Sequence, residues 1–233
     1  RDIPYYGLME TKIGGADVVI SQTGFTGEKG YEIYVRDAHE NAEIVWNSVV
    51  EAGEEFGLMV IAPAHHRRIA AGILSWGQDL DHETSPFQVN LSYQVPRNKE
   101  ADYIGKEELE RQRAIIDDGD FPFKMRMVGL ILGGKEIIDY APDFWLIADT
   151  DGNDMGYITS PWWSPELDTN IALGWVPWTS SEVGTKLQVR LPDEYSESSG
   201  IPVEAEIVDV PFRESVNPNK REVQKAKGLD YAE

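Results

Sequence analysis

The apolar pattern first concentrates at residues 16–20, Ala-Asp-Val-Val-Ile, a β-branched run that predicts a strand. An alternating run follows at residues 31–35. Tyr31, Ile33 and Val35 fall on one face, and Glu32 and Tyr34 on the other. The two runs are joined by Ser-Gln-Thr-Gly-Phe-Thr-Gly-Glu-Lys-Gly, residues 21–30. Its three glycines allow a left-handed turn or a close approach of backbone to a ligand. Glu32 thus sits inside a strand. Such a carboxylate either faces solvent or requires a partner.

The pattern then turns helical. Ala42, Val45, Trp46, Val49 and Val50 recur at helical spacing, and Asp37 with Glu40 has the form of a capping box. Residues 56–61 read as a short apolar strand, and residues 64–74 as a helix opened by Pro63. In that helix Arg67 and Arg68 point about 100° apart. Either Arg68 turns inward beside Ile69 and Ile73, where it requires a carboxylate or ligand, or both arginines lie on the surface. Residues 87–95 predict another strand and 105–116 a helix that runs into Asp117-Asp118-Gly119-Asp120. Beyond it come six short alternating runs, at 126–132, 144–148, 155–159, 171–176, 186–191 and 203–210. Turn signals separate them, which predicts an antiparallel barrel or sandwich. The expected organisation is therefore α+β. It comprises a first domain over residues 1–120, a β-domain over 121–216 and a polar tail over 217–233.

Composition narrows the chemistry. The 233 residues include no cysteine, so disulfides, thiolate metal sites and cysteine nucleophiles are excluded, in keeping with a cytoplasmic protein. No apolar run approaches the ~20 residues a membrane span needs. The net charge of −20, from 41 acidic and 21 basic residues, argues against nucleic acid as a partner. Neither the adjacent His65 and His66 nor the Asp79-x-Asp81-x-Glu83 loop has metal-ligand spacing, and no metal is expected.

Several blocks, in order, resemble one family. Thr23-Gly24-Phe25-Thr26-Gly27-Glu28 with Gly30-Tyr31-Glu32-Ile33-Tyr34-Val35 is similar to the signature of the folate-dependent aminomethyltransferases. That family includes the glycine cleavage T-protein, the folate domains of sarcosine and dimethylglycine oxidases, and dimethylsulfoniopropionate demethylase. Residues 71–81 with Ser85-Pro86, residues 103–109, and residues 155–160 with the blocks up to Phe212 agree in order and spacing.

The resemblance implies the C-terminal part of a folate-binding α+β domain followed by an antiparallel β-barrel. It implies tetrahydrofolate as cofactor, Glu32 as a ligand of the pteridine ring, Tyr31 and Tyr34 beside it, and Arg68 in support. The family's catalytic Asp would lie upstream of this chain, so these residues alone are expected to be inactive. Ala64 stands where T-proteins carry a folate-contacting arginine, and the stretch around Arg68-Ile69 and Leu74-Ser75-Trp76-Gly77 looks more like the demethylase branch.

The expected activity is one-carbon transfer from a small methylated donor to tetrahydrofolate. The alternatives are glycine-cleavage aminomethyl transfer, in which a lipoyl carrier protein would be a partner, a non-catalytic folate-binding protein, or the tail of a flavin-linked amine oxidase. Phe25, Trp162 and Trp163 are the candidates for donor contact. The aromatic cluster Trp162, Trp163, Trp175 and Trp178 is either barrel packing or a cage for an onium methyl group.

Overall fold

The structure, a computed structural model, describes residues 3–63, 65–141 and 143–212. The chain divides into two compact units between Arg68 and Ile69. The polar tail expected at 217–233 lies outside the described residues, as does Ala64.

The first unit is a three-stranded antiparallel sheet with one helix on it. Strands β1 (Leu8–Ile13), β2 (Ala16–Ser21) and β3 (Glu32–Val35) lie in the order β1-β2-β3. β1 is a strand that the apolar pattern did not announce, since Glu10, Thr11 and Lys12 dilute its alternation. Its turn into β2 is Gly14-Gly15, with φ of +58° and +90°, the left-handed pair that a two-residue hairpin favours. Helix α1 (Ala38–Gly53) covers one face of the sheet. Ala16 and Val18 from β2 and Val45 from α1 form the buried core, flanked by Ile13, Ile20 and Val35. The expected capping box is absent. Asp37 is left-handed (φ 48°) and its side chain caps nothing. The Asn41 amide instead donates to Arg36 O at 3.1 Å.

Residues 56–61 form no strand. A 3-10 turn at Glu54–Phe56 leads into irregular backbone, and among the described residues no strand pairs with it. Helix α2 (His65–Ala70) stops earlier than the pattern predicts. Gly72, at φ +71°, turns its N–H back to Ile69 O at 2.9 Å, and a left-handed glycine ends a helix. His65 and Arg68, one turn apart, share a flank of α2. Burial first, and the Arg68 charge second, hold the His65 imidazole below its ordinary pKa of 6.5.

In the second unit, α3 (Lys106–Asp117) precedes six strands. These are β4 (Met125–Leu132), β5 (Trp145–Ala148), β6 (Asp154–Ser164), β7 (Thr169–Pro177), β8 (Lys186–Val189) and β9 (Val203–Val208). They form a closed antiparallel barrel, β4-β7-β6-β5-β8-β9, that fills with Leu130, Ile137, Ile147, Val176 and Val189. All six expected runs are strands, and β6 continues through Pro161, Trp162 and Trp163.

The strand expected at 87–95 is not one. Asn90 at φ 61° breaks the extended run. Phe87, Val89 and Val95 are still buried, and side-chain amides replace a ladder: Gln88 donates to Met125 O at 3.1 Å and Asn90 to Met127 O at 3.2 Å. Residues 69–120, grouped by pattern with the first domain, fall with the barrel in the compact unit.

One polar knot fastens the loop after α2 to the barrel. Asp79 is 1% exposed. Its Oδ2 accepts from the Ser75 N–H at 2.8 Å, and its Oδ1 from the Thr159 and Ser160 hydroxyls at 2.5 and 2.6 Å. Neighbouring strand residues normally point to opposite faces. Here β6 bulges against β7: Ile158 pairs Gly174 and Ser160 pairs Leu173, which leaves Thr159 extra. The bulge re-aims the side chain and lets both hydroxyls reach one carboxyl oxygen. Gln78 also donates to Thr159 O, and the Trp175 indole to Asp79 O.

Replacing Asp79 by Ala strands several buried donors, and we predict a loss of ~3–5 kcal/mol in denaturant unfolding. A loss below ~1 kcal/mol would show that the knot is dispensable. His65 should titrate below 6.5 by NMR. Since its pKa is depressed in the folded state, its contribution to stability is present above 6.5 and is lost as pH falls from there through the folded midpoint. A midpoint at or above 6.5 contradicts this.

Candidate functional site on the hairpin

Antiparallel pairing places opposed residues on one face of a sheet. Ser21 pairs Glu32, Val19 pairs Tyr34 and Leu8 pairs Ser21. These residues therefore occupy the face that α1 does not cover, whereas Val18, Ile20, Ile33 and Val35 face the helix. The pleat alone puts Glu32 on the open side.

There Glu32 is held by its neighbours. Its Oε2 accepts from the Thr23 hydroxyl, in a short contact, and from the Tyr34 phenol at 3.0 Å. Thr23 Oγ1 lies 2.6 Å from Ser21 Oγ. Among the described residues, no donor reaches Oε1. A carboxylate has about four acceptor positions, so the Oε1 side is left for an external donor. The Thr23 hydroxyl can also turn to Ser21, which would release Oε2. The arrangement is thus a fixed carboxylate that offers acceptors to the edge of a ligand carrying N–H groups, a charge-assisted geometry. The Ser21 and Thr23 contribution was not read from the sequence. The signal is the strand register, which puts Ser21 opposite Glu32 once the hairpin is paired.

The other expected site residues distribute as follows. Tyr34 is on the Glu32 face, with its ring half exposed. Tyr31 precedes the strand and lies under the Lys29 ammonium at 5.9 Å. Phe25 is exposed at the tip of the connection. Of the three glycines there, only Gly27 takes a positive φ, +73°. Arg68 is 2% exposed, so the inward reading of that arginine holds.

Trp162 and Trp175 pack in one apolar cluster, and the four tryptophans have different partners. Trp162 meets Tyr140 edge-on at 5.5 Å and packs on the layer of Met127 and Ile171. Trp163, next along β6, donates its backbone N–H to Ile137 O at 2.7 Å. Trp175 is buried with its indole on Asp79 O, and Trp178 lies over Phe121 at 5.7 Å. Among the described residues, no group of acidic or histidine side chains could hold a metal ion. No helix among them is long and apolar enough to cross a membrane.

The chain is similar to proteins of known class. Residues 1–99 match the GCVT N-terminal domain model, and residues 125–213 match that of the glycine cleavage T-protein C-terminal barrel domain. An aminomethyltransferase of Thermotoga neapolitana is 34% identical over 212 residues, which cover 90% of this chain and 52% of that protein. The aminomethyltransferase of Bacillus subtilis is 29% identical over 211 residues, 90% of this chain and 53% of that protein. The chain spans about half the length of these curated relatives. The fold is also that of the crystal structure of glycine cleavage system aminomethyltransferase T from Bartonella henselae. The TM-score is 0.64 at 22% identity, over 91% of this chain and 53% of that one. With two domain models of one family matched in order along it, this chain belongs to the glycine cleavage T-protein family.

Proposed function

We propose that the protein takes part in tetrahydrofolate-dependent one-carbon transfer, and that the group moved is an aminomethyl group. The observation that carries this reading is the Glu32 carboxylate. It is fixed by Thr23 and Tyr34 through one oxygen and open at the other, inside a motif similar to the family's folate signature. Tetrahydrofolate fits this donor set. The edge of its pteridine ring carries adjacent N–H groups, and Oε1 with a releasable Oε2 offers matching acceptors. When bound, the cofactor would supply the nitrogen that receives the one-carbon unit.

This chain's own residues do the holding. Glu32 fixes the ring edge, Thr23 and Tyr34 fix Glu32, and the half-exposed Tyr34 ring adds apolar surface on the same face. Holding donor and acceptor in line is itself a large share of such catalysis, since orientation removes most of the entropy loss of a bimolecular encounter. In the aminomethyl reading the donor arrives on the lipoyl arm of a carrier protein, and the relatives named aminomethyltransferase support that choice.

The expectation of a demethylase resembling that for dimethylsulfoniopropionate gives way to second place. One observation still favours it: Ala64 occupies the position of the T-protein folate arginine. A donor screen separates the two readings. Lipoyl-bound aminomethyl donor, dimethylsulfoniopropionate and dimethylglycine are each supplied to the intact protein with tetrahydrofolate. Methylenetetrahydrofolate from the lipoyl donor alone is expected. Methyltetrahydrofolate from the sulfonium donor would reverse the order.

In calorimetric titration with tetrahydrofolate, Glu32→Gln should weaken binding by ~1.5–3 kcal/mol, the loss of a charge-assisted hydrogen bond, or roughly 10- to 150-fold. An affinity within about threefold of the parent would remove Glu32 from the site.

A further inference from the structure

We propose that the end of the barrel at Arg126 is a binding site for a small planar aromatic carboxylate. The proposal is independent of the folate reading.

Arg126 stands where a barrel strand normally carries an apolar residue. Val128, Leu130 and Leu132 on β4 belong to the barrel core. Side chains two apart on a strand share a face, so Arg126 has the core-facing parity. It pairs with Val176 of β7, which is also in the core. Arg126 thus lies at the end of the barrel where β4 starts and β7 finishes. A small barrel fills its middle with side chains, and its mouths are places where ligands bind.

The charge at this mouth is not answered by the protein. Arg36, Arg97, Arg111 and Arg190 each hold a carboxylate. Arg126 is half-buried and, among the described residues, has no acidic partner. Burial alone pushes its guanidinium below the usual arginine range. A guanidinium has five N–H donors, and one of these donates to Asn90 Oδ1 at 3.2 Å. The Asn90 amide donates in turn to Met127 O. Asn90 therefore fixes the guanidinium and leaves its charge in place. The rest of the fork can hold a carboxylate through two parallel hydrogen bonds, which would offset the cost of the buried charge.

The surroundings of the guanidinium are aromatic. Arg126 lies over the Phe121 ring at 5.9 Å. Phe121 meets Phe123 edge-on at 5.3 Å and Trp178 at 5.7 Å. Trp178 follows β7 directly, and its backbone N–H is anchored on Lys124 O at 3.0 Å. Its side chain is still 36% exposed, so ring surface is available for stacking. A cation bordered by rings suits an anion with a flat apolar body. Arg126 supplies one positive charge, and the net charge of −20 disfavours the approach of a dianion. Both limits favour a singly charged aryl carboxylate over a phosphate.

Calorimetric titration of the intact protein with benzoate, benzamide and inorganic phosphate tests this. Benzoate should bind with a Kd of ~1 mM or below, and benzamide, which keeps the ring and loses the charge, ~10-fold or more weakly. In NMR spectra benzoate should shift the Arg126 Nε–H and Trp178 indole N–H signals. Arg126→Met should leave the circular dichroism unchanged and weaken benzoate by ~10-fold or more. If that variant does not fold, the ligand comparison and the NMR shifts in the parent protein decide alone. Four results would overturn the proposal. One is no binding of benzoate at ~10 mM. A second is equal binding of benzamide, which would leave a ring site without an anion site. A third is tighter binding of phosphate than of benzoate. The fourth is benzoate binding that shifts neither signal, or that Arg126→Met leaves unchanged.

Discussion

Backbone hydrogen bonds must be made somewhere, and the two units of this chain meet that requirement in opposite ways. In the barrel every strand has a neighbour on both sides, and the β4–β9 pairing closes the circle. Ladder groups find partners and side chains from all six strands meet in one core. Closure removes the edges that an open sheet must protect. The first unit has no such closure. Among the described residues its sheet is three strands wide, its core cluster rests on Ala16, Val18 and Val45, and α1 covers one face only. An exposed carboxylate, Glu32, is tolerated on that open face. Against the closed barrel, by contrast, Asp79 of the loop after α2 is acceptable only because hydroxyl and amide donors surround it.

The hairpin site follows from register more than from composition. Ser21 and Glu32 are eleven positions apart in sequence and directly opposite in the sheet. The glycine-rich connection allows this return, and the pleat then decides which side chains share the open face. Tyr34 joins Glu32 because it lies two residues on. Tyr31, one residue before, does not.

What could be read from the sequence, and what could not, has a physical pattern. The six barrel strands were legible because each alternates between core and surface and ends at a turn. The segment 87–95 deceived because its apolar residues are buried without being paired, and a single left-handed Asn90 suffices to break the extension. The segment 56–61 deceived in the other direction. It has the composition of a strand but lacks a paired neighbour among the described residues. β1 went unread because polar residues occupy its middle. Of the candidate site, Glu32 was visible through its motif. The support from Thr23 and Ser21 was not, since hydrogen bonds across a hairpin are fixed by which residues end up opposite. The inward turn of Arg68 was an open choice that only packing could decide.

The bulge at Thr159 makes strand length a functional quantity. Deleting Thr159, the one residue between Ile158 and Ser160, would restore regular pleating and remove one of the two hydroxyls that reach Asp79. Side chains there can be exchanged for others that donate a hydrogen bond, but the count of residues cannot change.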